Sequence, residues 1–244
     1  MKRNSKRILF ITGGIIILFM AGLVFYRLPI FMMNPAKTGQ VYDTNVYAVK
    51  NVINSVYFIK TGSDYILFDT GSDSGKLALS LREAKVDPNN VKWIFLTHSD
   101  YDHVAGLPLF ANAKIYMSED EFPMINGTVK RTIFAGNKIP SAVNIDSIVL
   151  LQDNQELLCS DTKIVCKKAP GHTIGSMVYL ADNQYLFTGD AFKISSRKIG
   201  VHPYSMDSNL CKKTIERLRE TIDGASIVFT AHYGFLNTAS IIWQ

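Results

Sequence analysis

The stretch Thr97-His98-Ser99-Asp100-Tyr101-Asp102-His103 constrains this chain more than any other, because it sets four ligand-type side chains directly behind the apolar segment 91–96. A β-branched and aromatic run that ends in a polar cluster reads as a buried strand whose C-terminal loop projects functional groups. In α/β proteins that end of the strand is where chemistry is placed. The pattern recurs at Pro170-Gly171-His172-Thr173-Ile174-Gly175-Ser176, at Phe187-Thr188-Gly189-Asp190 and at Thr230-Ala231-His232-Tyr233-Gly234. Four of the five histidines fall in these clusters. Imidazole nitrogens and carboxylate oxygens converging from several loops are what a pair of divalent cations requires, since one loop cannot surround two ions. Taken singly, each histidine reads as an isolated core or surface residue; the recurrence at strand ends is the argument for a site.

These motifs resemble the metallo-β-lactamase-fold hydrolases, whose signature is HxHxDH, a later His in a GHTxGS context, an Asp in a TGD context and a last His near the C-terminus. The resemblance spans residues 41–236 and includes Leu67-Phe68-Asp69-Thr70-Gly71, which matches an early D-T-G turn whose Asp is structural. It implies an αββα sandwich of two mixed β-sheets with outer helices. It also implies that His98 and His172 bind a first metal, that Asp102, His103 and His232 bind a second, and that Asp190 bridges them. The slot of the second His of HxHxDH holds Asp100, so the resemblance puts a carboxylate among the first metal's ligands.

A carboxylate still ligates zinc at about 2.0–2.2 Å, but an anion in place of a neutral ligand makes a weaker Lewis acid and favours harder ions. Two zinc ions are expected, with iron or manganese as alternatives. The expected activity is hydrolysis of an ester, thioester, lactone or lactam carbonyl in a small-molecule substrate by a metal-bound hydroxide. Asp102 would orient the nucleophile, and Tyr233 would either donate to the oxyanion or pack as a core aromatic. The alternative is a protein that does not hydrolyse: a non-haem di-iron redox enzyme, as in flavin-linked relatives with Glu at the slot of Asp100, or a non-catalytic metal-binding module. His202, the remaining histidine, either faces substrate or stands in a solvent-exposed loop; the loop reading is preferred.

Residues 8–26 run without a charge behind Lys2, Arg3, Lys6 and Arg7. That length is close to the roughly 20 residues that cross a bilayer as a helix. No A-x-A-like cleavage site follows, so a retained single-pass anchor, or uncleaved signal, is expected. Residues 1–7 are then cytoplasmic, 27–40 a tether, and 41–244 an extracytoplasmic catalytic domain at the cell membrane. Setting aside those four basic residues leaves 22 Lys and Arg against 21 acidic residues, so the net +5 belongs to the topology signal and no nucleic-acid partner is expected. Lys212, Lys213, Arg217 and Arg219, interleaved with Glu216 and Glu220, read as a solvated helix face. Cys159, Cys166 and Cys211 do not form a disulfide framework; a Cys159–Cys166 bridge and three buried thiols both remain open.

Along the chain, strands are expected at 41–50, 52–61, 65–69, 91–96, 113–117, 148–151, 156–159, 163–168, 177–180, 184–187 and 226–230. Helices are expected at 74–85, capped by Ser74, from Gly106 onward, and at 208–222 with Leu210, Ile215, Leu218 and Ile222 inward. Residues 118–147 lack periodicity and read either as a lid or binding insertion or as a partly ordered surface loop.

Overall fold

The structure, a computed structural model, describes residues 2–132, 137 and 139–243, without the side chains of residues 2–14 and 23. The chain divides into two units, Met1–Met33 and Asn34–Gln244. The first contains helix α1, Lys2–Phe31, in which Ile15, Ile16, Ile17, Leu18 and Phe19 are exposed. Among the described residues no helix is long and apolar enough to cross a membrane. The segment expected to do so, 8–26, includes side chains that lie outside the described set.

In the second unit β1 (Gly39–Gln40), β2 (Val46–Asn51), β3 (Asn54–Thr61), β4 (Asp64–Phe68), β5 (Val91–Phe95), β6 (Lys114–Ser118) and β7 (Val149–Leu151) form one sheet in chain order. Pairing is antiparallel from β1 to β4 and parallel from β4 to β7. The second sheet runs β15-β14-β11-β10-β9-β8, from β8 (Glu156–Cys159), β9 (Thr162–Lys168), β10 (Met177–Ala181), β11 (Tyr185–Phe187), β14 (Ile227–Phe229) and β15 (Phe235–Asn237). It too is mixed, β11 and β14 being parallel. A separate hairpin, β12 (Lys193–Ser195) with β13 (Lys198–Gly200), follows β11.

Side-chain alternation builds the layers. Ile66 and Phe68 of β4 and Phe95 of β5 point into the core shared with Met177 and Tyr179 of β10, Phe187 of β11 and Phe229 of β14. There Phe68 and Phe187 stack at 3.7 Å between centroids. The intervening Leu67, Ile94 and Leu96 face outward onto Leu77 and Leu81 of α2 (Ser74–Glu83). On the far side Val178, Leu186 and Val228 meet Leu218 and Ile222. Both faces of each sheet are therefore covered, giving the expected αββα order of layers.

Local differences have local causes. The strand expected over 41–50 is β2 and starts only at Val46, because Tyr42 has φ 48° and Val41 N–H closes a turn on the Val46 carbonyl at 2.9 Å. Asp73, not Ser74, caps α2, accepting from Lys76 N–H at 2.8 Å. Only a 3₁₀ turn, Leu107–Leu109, follows Gly106. The helix expected over 208–222 breaks at Leu218 into two, Ser208–Arg217 and Arg219–Gly224, and Leu210 is exposed while Cys211 and Thr214 are buried. The end of the expected tether belongs to the body: Ala36 is buried and Asn34 N–H donates to the His232 carbonyl at 2.7 Å. All three cysteines are free and buried.

Candidate metal centre

Every candidate ligand stands just beyond the end of a strand. β5 leads into His98, and the single-turn helix α3 (Tyr101–Val104) carries Asp102 and His103. His172 follows β9, Asp190 follows β11 and His232 follows β14. Gly189 lets these loops close: it has φ +52° and a Cβ there would run into the Thr97 side chain.

The sequence-predicted ligands converge. Asp100 Oδ2 lies 3.4 Å from His98 Nε2 and 3.2 Å from His172 Nε2. Asp102 Oδ2 lies 3.8 Å from His103 Nε2 and 3.2 Å from His232 Nε2. Asp190 Oδ2 sits between the two trios, 3.5 Å from His172 Nε2, 3.6 Å from His103 Nε2 and 3.2 Å from His232 Nε2. A tetrahedron of ligands about 2.0–2.1 Å from zinc has edges of roughly 3.3 Å, so these spacings suit donors around common ions. His98 Nε2 and His103 Nε2, turned toward the carboxylates of Asp100 and Asp190, are buried without a hydrogen-bond partner. Orphaned buried acceptors facing one another are costly unless something positive lies between them, and divalent cations fit that need.

The surrounding contacts orient the rings. Asp69, at φ 59°, accepts from Thr97 N–H and Thr97 Oγ1 at 2.8 Å and meets His103 Nδ1 at 2.8 Å, so the D-T-G aspartate is structural, as expected. His232 Nδ1 lies 2.8 Å from the Ile53 carbonyl. Such partners fix the tautomer that leaves Nε2 bare for a metal.

In the absence of cations the acids and imidazoles bias each other's protonation. Burial raises the Asp102 carboxyl, but His103 and His232 outweigh it and bring it down to about 2. Burial likewise opposes, and histidine partners dominate, at Asp100 and Asp190, both held well below the carboxylate range. Burial lowers His232, yet Asp190 and Asp102 bring it up to about 10. His103 is raised well above the usual imidazole range against its burial by Asp69, Asp102 and Asp190. A cation taking the place of those protons is the exchange metal binding involves.

Four residues join the site that sequence reasoning did not assign to it. His202 is not a solvent-exposed loop residue: it is 2% exposed, with Nε2 3.7 Å from Asp190 Oδ2. Burial pushes its imidazole down to about 3. The preference for a loop position failed because the segment after β13 docks on the His172 loop, where Met206 N–H donates to the His172 carbonyl at 3.1 Å. Glu121 is fully buried and ties the His98 loop to the His172 loop, its Oε1 accepting from Ser99 N–H (2.8 Å) and Oγ (2.6 Å) and its Oε2 from Thr173 Oγ1 (2.7 Å) and Gly175 N–H (3.0 Å). Arg131 Nε donates to both Asp100 oxygens at 2.9 and 3.0 Å, and Asn137 Nδ2 adds a bond to Asp100 Oδ1 at 3.0 Å. The negative charge that Asp100 adds is thus offset by an adjacent guanidinium, which works against the weakened Lewis acidity expected from the carboxylate. Both Glu121 and Arg131 come from the irregular stretch 118–147, which therefore contributes to the site; positions 133–136 and 138 of it lie outside the described residues.

Tyr233 is part-buried, its ring 5.8 Å from that of His202, and burial with the nearby Asp190 charge pushes its phenol up to about 12. Lys212, Lys213, Arg217 and Arg219 are exposed, as a solvated helix face requires.

The model of the "Metallo-beta-lactamase superfamily" matches residues 49–232. The "Probable polyketide biosynthesis zinc-dependent hydrolase PksB" of Bacillus subtilis is 27% identical over 164 residues, 66% of this chain and 60% of that protein. The hydroxyacylglutathione hydrolase of Haemophilus ducreyi is 26% identical over 180 residues, 73% of this chain and 65% of the relative. The alignments thus span about three fifths of these relatives' lengths. Among solved structures, a B3 metallo-beta-lactamase with an active-site glutamic acid superposes with a TM-score of 0.63 at 20% identity, over 84% of each chain.

Proposed function

Because this chain belongs to the metallo-beta-lactamase superfamily, we propose that it is a membrane-tethered, zinc-dependent hydrolase acting on an ester, thioester, lactone or lactam carbonyl of a small molecule. His98, Asp100 and His172 would hold one ion, Asp102, His103 and His232 the other, and Asp190 would be shared between them. Divalent cations bound there supply Lewis acidity toward a carbonyl oxygen and toward water. The observation that carries this reading is the convergence of two trios, His98, Asp100 and His172, and Asp102, His103 and His232, on Asp190 at spacings suited to shared ions, with His98 Nε2 and His103 Nε2 buried and unpartnered.

The chain's own groups complete the chemistry. Asp102, placed by α3 with Oδ2 3.2 Å from His232 Nε2, orients the attacking water and takes part in returning its proton to the leaving group. Tyr233 offers its hydroxyl to the oxyanion. Asp69 and the Ile53 carbonyl hold His103 and His232 in ligating orientation.

The tether reading rests on the uncharged stretch 8–26 behind a basic start, and it puts the catalytic body outside the cytoplasm. Protease accessibility of the body in intact cells tests it; protection would refute it. For the activity, the full chain in detergent is assayed on a thioester and a lactone beside Asp102→Ala. Loss of a general acid–base group lowers turnover on the order of 10²–10⁴-fold; equal turnover by both proteins would sink the assignment.

A further inference from the structure

We infer that His202 faces the centre as a hydrogen-bond donor rather than as a ligand, its Nε2–H aimed at the substrate oxygen on which negative charge develops. The inference rests on the hydrolase reading for its target and on the geometry of four histidines, His98, His103, His202 and His232, for the donor.

His202 Nε2 is buried without a partner, 3.7 Å from Asp190 Oδ2, and the ring lies 4.8 Å from that of His172 and 5.6 Å from that of His232. Position alone would allow it to be one more ligand, since it forms a trio of ligand-type atoms with His172 and Asp190. The other ring nitrogen decides between the two roles. In His103, Nδ1 faces the Asp69 carboxylate, and in His232 it faces the Ile53 carbonyl; both partners only accept. In His98 it faces Thr97 Oγ1 at 3.0 Å, a hydroxyl whose own hydrogen goes to Asp69 Oδ2, so it too accepts. In the neutral, ligating form each of these three rings carries its hydrogen on Nδ1 and presents a bare Nε2.

His202 is the reverse. Its Nδ1 faces a backbone donor, Tyr204 N–H at 3.4 Å, so Nδ1 is the bare nitrogen and the neutral ring carries its hydrogen on Nε2. An N–H cannot bind a cation, but it can stabilise a developing oxyanion. The loop is anchored to keep this aim: Arg131 Nη2 donates to the Tyr204 carbonyl at 2.8 Å, Ser205 Oγ to the His202 carbonyl at 2.8 Å, and Asp207 N–H to the Gly171 carbonyl at 2.9 Å. The Arg131 that neutralises Asp100 is thereby also what holds the donor's loop.

The test loads the ¹⁵N-histidine-labelled full chain in detergent with ¹¹³Cd and reads imidazole tautomers and metal couplings by NMR. The expected result is cadmium coupling at His98, His103, His172 and His232, with no coupling at His202 and its proton on Nε2; His202→Gln removes that resonance and no other. Cadmium coupling at His202, or a proton on its Nδ1, overturns the inference. In parallel, His202→Phe lowers kcat on a p-nitrophenyl ester and a thioester on the order of 10²-fold with little change in KM. His202→Gln, which restores an N–H near the same place, recovers part of the loss, and both variants keep the wild-type metal content. Unchanged kcat in His202→Phe, or loss of a bound ion, also overturns it. A wild-type chain inert toward esters, thioesters and lactones instead sinks the hydrolase reading and the donor's target with it, while the NMR spectrum still decides the tautomer.

Discussion

Replacing Glu121 by Gln tests whether one buried carboxylate joins the two loops that carry His98 and His172. The carboxylate accepts two hydrogen bonds at each oxygen, and each pair comprises one backbone N–H and one hydroxyl. In the amide, one oxygen becomes an NH₂ group. The hydroxyl on that side can turn and accept, but the backbone N–H of Ser99 or of Gly175 cannot, so one buried donor is orphaned whichever way the amide is set. An orphaned buried donor costs about 1–3 kcal/mol, and losing the charge assistance to the remaining bonds brings the total to about 3 kcal/mol. For a folded unit of this size about 1 kcal/mol moves Tm by ~2–4 °C, so the expected drop is ~6–12 °C. The assay is thermal unfolding of the metal-stripped full chain by near-UV circular dichroism, which keeps ion binding out of the comparison. Glu83→Gln, on the exposed face of α2, is the control and should stay within ~0.5 kcal/mol. A shift at position 121 no larger than the control's would refute the claim that this residue joins the loops.

Gly175→Ala attacks the same junction from the other side: a Cβ would meet the Asp120–Glu121 backbone, so the variant should unfold at lower temperature and bind zinc more weakly in a chelator competition. Phe68→Ala removes the ring stacked on Phe187 between the sheets and should destabilise by about 3–5 kcal/mol in urea titration; a change below about 1 kcal/mol would contradict the two-sheet core. Burial pushes the Cys159 and Cys166 thiols up to about 12, so below that pH the native protein keeps them protonated. Because the unfolded thiols ionise near 8.5, the native protein resists iodoacetamide at pH 9 while urea-unfolded protein is alkylated, and stability falls as pH rises from about 9 toward 12. Rapid native labelling of both cysteines would exclude that burial.

The histidine and aspartate clusters were legible because each follows a strand whose apolar alternation is itself readable, as at 91–96 before His98 and 184–187 before Asp190. Asp69 was legible for the same reason, at the end of β4. Residues whose role depends on how a loop docks were not. Glu119, Asp120 and Glu121 are three successive acids in a stretch without periodicity, and only the 3₁₀ turn over Glu119–Glu121 directs the last of them into the core. Arg131 has no periodic neighbours to mark it, and its significance comes from partners far away in sequence, Asp100 and the Tyr204 carbonyl. His202 follows a short hairpin and precedes a proline, a context shared by many exposed loops; its burial comes from contacts with Gly171 and His172. The break at Leu218 was also hidden, since Leu218 and Ile222 continue the helical spacing across it.

The dinuclear centre is tested most directly by counting metal in the full chain purified without added ions. Near two zinc per chain is predicted for wild type, with one lost on His172→Ala and one on His232→Ala, because each ring belongs to a different trio. A wild-type protein that binds no divalent ion, or one whose metal content neither substitution changes, would contradict the account.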